Sequence, residues 1–223
     1  MKIVLDVDDV LLDFNSHIHQ LASDISGLNY NETKNKIGRE HNLQTRFSLS
    51  DNQLKELWDN VAWDNLPINY GADKFLDYIV KNNFEIKYVT AIPSNFINER
   101  FKNLHKHFGN IIKNIKKEDI YCVGQSGNKR ESVKSINPDF YIDDTLTHIN
   151  ECHDLIKVSS IHIKTGVLIN NSEEVHDFTN KNVKNLVVIN NISDAIDVID
   201  NMLKKDPKNI TKYKRDKRIW KKK

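Results

Sequence analysis

The stretch Lys2–Leu12, KIVLDVDDVLL, runs from an apolar, β-branched segment into three carboxylates and back to apolar residues. Ile3, Val4 and Leu5 read as a strand buried on both faces, as in the middle of a parallel sheet. Alternate side chains of a strand share a face, so Asp6 and Asp8 project in one direction from its carboxyl end. Carboxylates held that close stay ionised together only when a cation sits among them. An Asp-rich turn is the plainer alternative, but Val10-Leu11-Leu12 is poor in the residues that turns select.

The rest of the chain can enclose such a strand. Its 223 residues suffice for one good core with a small inserted subdomain. With 39% hydrophobic and 29% charged residues, the composition is that of a globular protein and excludes a disordered one. No apolar run approaches the roughly 18 residues of a membrane span, and the N-terminus lacks the layout of a signal peptide. The two cysteines, Cys122 and Cys152, have no metal-type spacing and point to a reduced, cytoplasmic setting. A formal charge of +2 conceals an asymmetry: Lys204–Lys223 carries +9 and the preceding residues −7. An acidic body thus ends in a basic tail.

After the strand, Phe14, Ile18, Leu21, Ala22 and Ile25 recur at helical spacing. Ser50-x-x-Gln53 is a capping box ahead of Leu54, Leu57, Trp58 and Val61. These predict a helical subdomain over 15–66, leaving 1–14 and 67–204 as the main body and 205–223 as the tail. Leu66-Pro67 and Gly71 mark the return. Strands are then predicted at 85–90, 119–123, 139–142, 158–163 and 186–189. Helices are predicted after Gly71, over 95–108, from about Asn128, over 146–155 and over 192–203. Such alternation predicts an α/β, Rossmann-like fold with a mostly parallel sheet and helices on both faces. Ligands of such folds bind beyond the carboxyl ends of the strands.

Three strand ends carry chemistry: Asp6-Val7-Asp8, Thr90-Ala91 and Asp143-Asp144. Lys129 opens the helix before the last of these. If the strands are neighbours, carboxylates, a hydroxyl and an ammonium converge in one crevice. Clustered oxygen ligands suit Mg²⁺, which keeps positions for water or phosphate. A lysine and a hydroxyl opposite the ion would hold phosphate oxygens.

In these residues the chain resembles the haloacid dehalogenase (HAD) superfamily of phosphohydrolases. Asp6-Val7-Asp8-Asp9-Val10 resembles its first motif, DxDx(T/V), and Thr90 after Lys87-Tyr88-Val89 the second. Lys129 resembles the third and Phe140-Tyr141-Ile142-Asp143-Asp144 the fourth. The insert stands where a C1-type helical cap stands in that superfamily. The resemblance implies that Asp6 is a nucleophile forming an aspartyl phosphate and that Asp8 is the acid and base. It implies phosphate binding by Thr90, Ala91 and Lys129, with Lys134 the alternative lysine. It also implies a Mg²⁺ held by Asp6, Asp143 and the backbone carbonyl of Asp8, with Asp144 supporting through water. Asp9 stands where many relatives carry Gly. Asp-Val-Asp-Asp-Val-Leu-Leu-Asp-Phe, the short cap and Pro67 before Gly71-Ala72 resemble the 5'(3')-deoxyribonucleotidase group. A nucleotide base needs an aromatic or apolar face, for which Phe14, Phe47, Trp58 and Trp63 are candidates; core packing is the alternative for each. Arg39 and Arg46 are candidates for contacting the substrate's phosphate or sugar.

Other signals are weaker. Gly124–Ser132, GQSGNKRES, lacks the Gly-Lys-Ser/Thr ending of a P-loop. His105 and His107 lie two apart on a helix and face different ways. Cys122 reads as core, and Cys152 lacks a pattern for nucleophilic catalysis. The tail, with Tyr213 and Trp220 among its basic residues, could bind nucleic acid; a solvated end, or one lying on the acidic body, is favoured. The expected function is thus a Mg²⁺-dependent phosphomonoesterase acting on a 5'-nucleotide. The alternatives are a phosphatase of nucleic-acid ends and a phospho-accepting switch domain, against which the DxD spacing and the insert argue.

Overall fold

The computed structural model describes residues 1–29, 43–113, 115–124, 128–164 and 185–205. Six strands form one sheet: β1 (Lys2–Leu5), β2 (Glu85–Thr90), β3 (Ile120–Cys122), β4 (Phe140–Asp143), β5 (Ser159–Ile163) and β6 (Leu186–Ile189). Their order is β3-β2-β1-β4-β5-β6 and every neighbouring pair is parallel. Strand β1 sits in the middle, with Ile3 opposite Ile86 on one side and Phe140 on the other. Connections run outward in opposite directions from β1 and β4, and a crevice opens where the direction reverses. This order also separates the chain from the 2-1-3-4-5 order of receiver-type doubly wound domains.

Eight α-helices are described: α1 (Phe14–Ser26), α2 (Leu43–Phe47), α3 (Asp51–Asp59), α4 (Ala72–Lys81), α5 (Ile97–Phe108), α6 (Arg130–Ile136), α7 (Leu146–Cys152) and α8 (Ala195–Lys205). Period-two alternation in β1 divides the core. Ile3 and Leu5 join Phe75, Leu76 and Ile79 of α4, Leu104 of α5 and Ile199 of α8. Val4 joins Val89, Tyr141, Val133 of α6 and Ile149 of α7 on the opposite side. Helices therefore cover both faces, as the strand-helix alternation requires. None of the described helices is long and apolar enough to cross a membrane.

Helices α1, α2 and α3 pack against one another between β1 and α4. Helix α3 opens on the Ser50 capping box, in which the Ser50 hydroxyl accepts from the Gln53 N–H and the Gln53 side chain accepts from the Ser50 N–H. The outgoing and returning chains run side by side: Asp13 N–H donates to the Pro67 carbonyl at 2.8 Å and Asn69 N–H to the Leu11 carbonyl at 2.9 Å. At the return, Gly71 has φ +82°, and a Cβ there would lie 2.9 Å from Cβ of Ser193. Glycine is the residue that satisfies both demands.

Several helices begin or end in a tighter turn than the apolar periodicity predicts. Ser94–Phe96, Lys117–Asp119, His153–Leu155 and Ile192–Asp194 are 3₁₀ turns. They shorten the expected helices at 95–108, 146–155 and 192–203 and delay β3 by one residue. Apolar spacing does not distinguish the two helix types over a single turn.

Candidate active site

The ends of β1, β2 and β4 converge, and the sequence-predicted residues come together there. The Lys129 ammonium, just ahead of α6 and fully buried, lies 2.7 Å from Asp6 Oδ2 and 2.9 Å from Asp143 Oδ2. Lys134, the alternative, lies exposed on α6. The Thr90 hydroxyl at the end of β2 donates to Asp8 Oδ2 at 3.1 Å. Ala91 lines the cleft beside them. Asp6 is anchored at both levels, its N–H donating to the Ile142 carbonyl and its Oδ1 accepting from the Val7 N–H at 2.7 Å.

The two carboxylates of the β4 end differ. Asp143 is wholly buried, and its oxygens accept from Lys129, the Tyr141 hydroxyl, the Thr145 N–H at 2.8 Å and His148 Nδ1 at 3.3 Å. Asp144 faces the cleft, with one long bond of 3.4 Å from the Thr145 hydroxyl. Their acidities diverge accordingly. Burial opposes ionisation of Asp143, yet Lys129, His148 and the Tyr141 hydroxyl hold its carboxyl well below the usual range. Burial and the charges of Asp9, Asp143 and Asp6 push Asp144 well above it. Asp6 is pushed up to about 6 by burial, against the pull of Lys129. Lys129 is held above its ordinary value because Asp143 and Asp6 outweigh its own burial.

Asp9 occupies left-handed backbone at φ +58°, a region that Asp and Asn enter more readily than most residues. Its side chain accepts from the Asn15 N–H at 2.8 Å and from the Asn15 amide, capping the first turn of α1. Burial raises its carboxyl well above the usual range despite the Asn15 bond.

Above the carboxylates lie two adjoining chambers of about 220 and 410 Å³. Phe14, Trp58, Asp9, Asp144 and Thr145 line both. Phe14 is near parallel to Trp58 and Trp63, with centroids 6.5 and 5.7 Å apart. Arg46 reaches the larger chamber from α2 and contacts His19 Nε2 at 2.6 Å. Phe47 does not reach the cleft: it is fully buried, edge-on to His19 at 4.9 Å. Arg39 and residues 206–223 of the basic tail lie outside the described residues.

Three contributors escape the motif reading. Arg100 of α5 is completely buried and pairs with Asp8. It shares the apolar stripe of Ile97, Phe101, Leu104 and Phe108, so a charge on a buried face was the signal. Tyr141 lies two residues before Asp143 on β4, and the period-two rule puts both on one side. His148 has no sequence signal, because the short turn between β4 and α7 delivers it.

Five carboxylates, Asp6, Asp8, Asp9, Asp143 and Asp144, crowd the site, and among the described residues two cations, Lys129 and Arg100, form ion pairs with them. Protons or a bound cation must compensate the excess. The all-oxygen donors facing the cleft fit a hard divalent ion such as Mg²⁺. Ligand atoms of Asp6, Asp143 and His148 also lie within 4.8 Å of one another. That set is less apt, since the Asp143 oxygens are already engaged and Lys129 bridges Asp143 to Asp6.

No family model matches the sequence, and no curated protein matches it either. Solved structures do. A HAD family hydrolase from Deinococcus radiodurans R1, with bound phosphate and sodium, superposes with a TM-score of 0.63 at 12% identity, over 90% of this chain and 95% of that one. A hydrolase from Pseudomonas syringae gives 0.54 at 15% identity, over 90% and 98%. D,D-heptose 1,7-bisphosphate phosphatase from B. bronchiseptica, complexed with magnesium and phosphate, gives 0.51 at 9% identity, over 89% and 98%. The chain shares the α/β fold of these hydrolases.

Proposed function

We propose that the protein is a Mg²⁺-dependent phosphomonoester hydrolase working through an aspartyl phosphate, and that its substrate is a 5'-nucleotide. The observation that carries the reading is the convergence of Asp6, Asp8, Thr90 and Lys129 on the floor of one cleft. In this reading the Asp6 carboxylate attacks phosphorus as the ester P–O bond breaks, and the Asp8 carboxyl gives its proton to the departing oxygen. Asp8 then takes a proton from the water that attacks the phosphorus of the aspartyl phosphate. Inorganic phosphate leaves and the Asp6 carboxylate is regenerated. Thr90, Ala91 and Lys129 hold the phosphoryl oxygens. Mg²⁺ held by Asp6, the Asp8 carbonyl and Asp144 would neutralise charge gathering on those oxygens. Of the two carboxylates at the β4 end, Asp144 suits this task better than Asp143, because Asp144 lines the cleft and, among the described residues, accepts only the long bond from Thr145. Asp143 then serves to fix Lys129.

The helices within 15–66 act as the cap over a core of 1–14 and 67–204. The aromatic group of Phe14, Trp58 and Trp63 supports a planar base as the leaving portion, and Arg46 lies where a sugar or second anion would sit. Two free cysteines are in keeping with a cytoplasmic setting. Phosphate release measured across nucleoside monophosphates, sugar phosphates and 3'-phosphorylated oligonucleotides, with and without Mg²⁺, tests the reading. Turnover of mononucleotides that stops with EDTA is expected. No release from any monoester would overturn it, and release from oligonucleotide ends alone would move the reading to a phosphatase of nucleic-acid ends.

A further inference from the structure

We propose that Arg100 is the positioning residue for Asp8, fixing the plane of the carboxyl that moves the proton; the inference rests on the phosphatase reading above. Arg100 is the largest of the fully buried side chains, and Nη2 lies 2.7 Å from Asp8 Oδ1 and 2.8 Å from Oδ2. Among the described residues its buried Nε and Nη1 have no hydrogen-bond partner, so there the guanidinium spends its bonds on Asp8 alone. Taking a guanidinium out of water costs several kcal/mol, and the place it occupies on α5 is one that a leucine would fill from packing alone. The stripe around it is otherwise Ile97, Phe101, Leu104 and Phe108.

The second wall of this arrangement is Trp63. Its ring stands 5.8 Å from the guanidinium carbon, and its carbonyl accepts from the Asn103 amide at 3.2 Å, one turn further along α5. Helix α5 thus grips Trp63 and Asp8 together. Asp8 turns about two side-chain bonds. The Thr90 hydroxyl restrains one of its oxygens, whereas the Arg100 nitrogen straddles both. Proton transfer needs the two oxygens within about 3 Å of each other, so a carboxyl free to swing loses most of its effect.

In the reaction, Arg100 neither gains nor loses a proton. Asp8 donates one to the leaving alkoxide and recovers one from the attacking water, so the ester and one water become an alcohol and phosphate. Arg100 acts only by holding Asp8 where both transfers occur.

Kinetics of Arg100→Met, Arg100→Lys, Asp8→Asn and the Asp8→Asn/Arg100→Met pair test this on two substrates. One is the nucleoside monophosphate turned over by the wild type; the other is 4-nitrophenyl phosphate, whose leaving group needs no proton. We expect Arg100→Met to lower kcat on the alkyl ester about 100-fold with KM changed less than about twofold, in the range that proton transfer contributes. The loss in kcat/KM, which reports the first step alone, should be about tenfold smaller on 4-nitrophenyl phosphate, and Arg100→Lys should restore part of the rate. The double variant should turn over no more slowly than Asp8→Asn, since Arg100 has nothing left to position. It also removes both charges of the pair, so this comparison stands if Arg100→Met alone does not fold. Wild-type kcat in Arg100→Met, equal losses in kcat/KM on both substrates, or a further loss in the double variant would overturn the proposal. A fully active Asp8→Asn would instead overturn the phosphatase reading beneath it.

Discussion

Four donors converge on the two oxygens of Asp143, whereas Asp144 next to it accepts one long bond and looks into the cleft. Replacing each by Asn should therefore do different things. Asp144→Asn should weaken Mg²⁺ binding more than tenfold by calorimetry while raising the melting temperature of the metal-free protein, because it removes a carboxyl crowded by Asp9, Asp143 and Asp6. Asp143→Asn should lower that temperature, since Lys129 loses half of its compensation; breaking a buried pair costs about 3–5 kcal/mol. Asp6→Asn should cut phosphate release by about four orders of magnitude or more with the circular dichroism spectrum unchanged. Asp6 also sets a pH dependence. Its folded pKa of about 6 lies above the ordinary 3.8, so the folded state binds the extra proton and is favoured below that range. Metal-free stability should thus fall as pH rises from about 4 to about 6, and the gain in melting temperature from Mg²⁺ should be larger at pH 7.5 than at pH 5. An equal gain at both would show that Asp6 does not hold the ion. At this scale the motif residues were readable because each stands at the end of a predicted strand or, for Lys129, at the start of a predicted helix. Arg100 was readable in principle, as a charge inside an apolar stripe. His148 was not, since its place depends on the path of a turn.

Elements were legible to the extent that their signals are local. The capping box at Ser50 fixes the start of α3, and Ser50→Ala should cost about 1 kcal/mol in urea unfolding. Gly71 could be read as a boundary, but its second demand could not, because Ser193 approaches it from a segment more than a hundred residues away. Gly71→Ala meets both left-handed backbone and that contact, and should cost roughly 1–3 kcal/mol with activity preserved. A loss below about 0.5 kcal/mol would mean that the Ser193 turn yields freely. The 3₁₀ turns at 94–96, 153–155 and 192–194 escaped for a related reason. Their apolar residues keep the helical rhythm, and the hydrogen-bond pattern that distinguishes them leaves no compositional mark.

For the molecule as a whole, strand-helix alternation was enough to predict a parallel sheet with two covered faces. It could not supply the strand order, which rests on pairings between segments 80 to 140 residues apart. On the proposed reading, the cleft between the sheet ends and α1–α3 is the feature on which substrate choice turns. Trp58→Ala should raise KM for a nucleotide about tenfold while leaving that for a small sugar phosphate within a factor of two. Equal changes would assign Trp58 to packing. The same architecture leaves the first loop under load: Asp9 adopts a backbone shape that costs most residues energy, and its carboxylate sits out of water among others of like sign. On the proposed reading, a cation in the cleft would unload that spring and a chelator would wind it tighter. Chelator-treated samples should then be the first to lose their fold on storage.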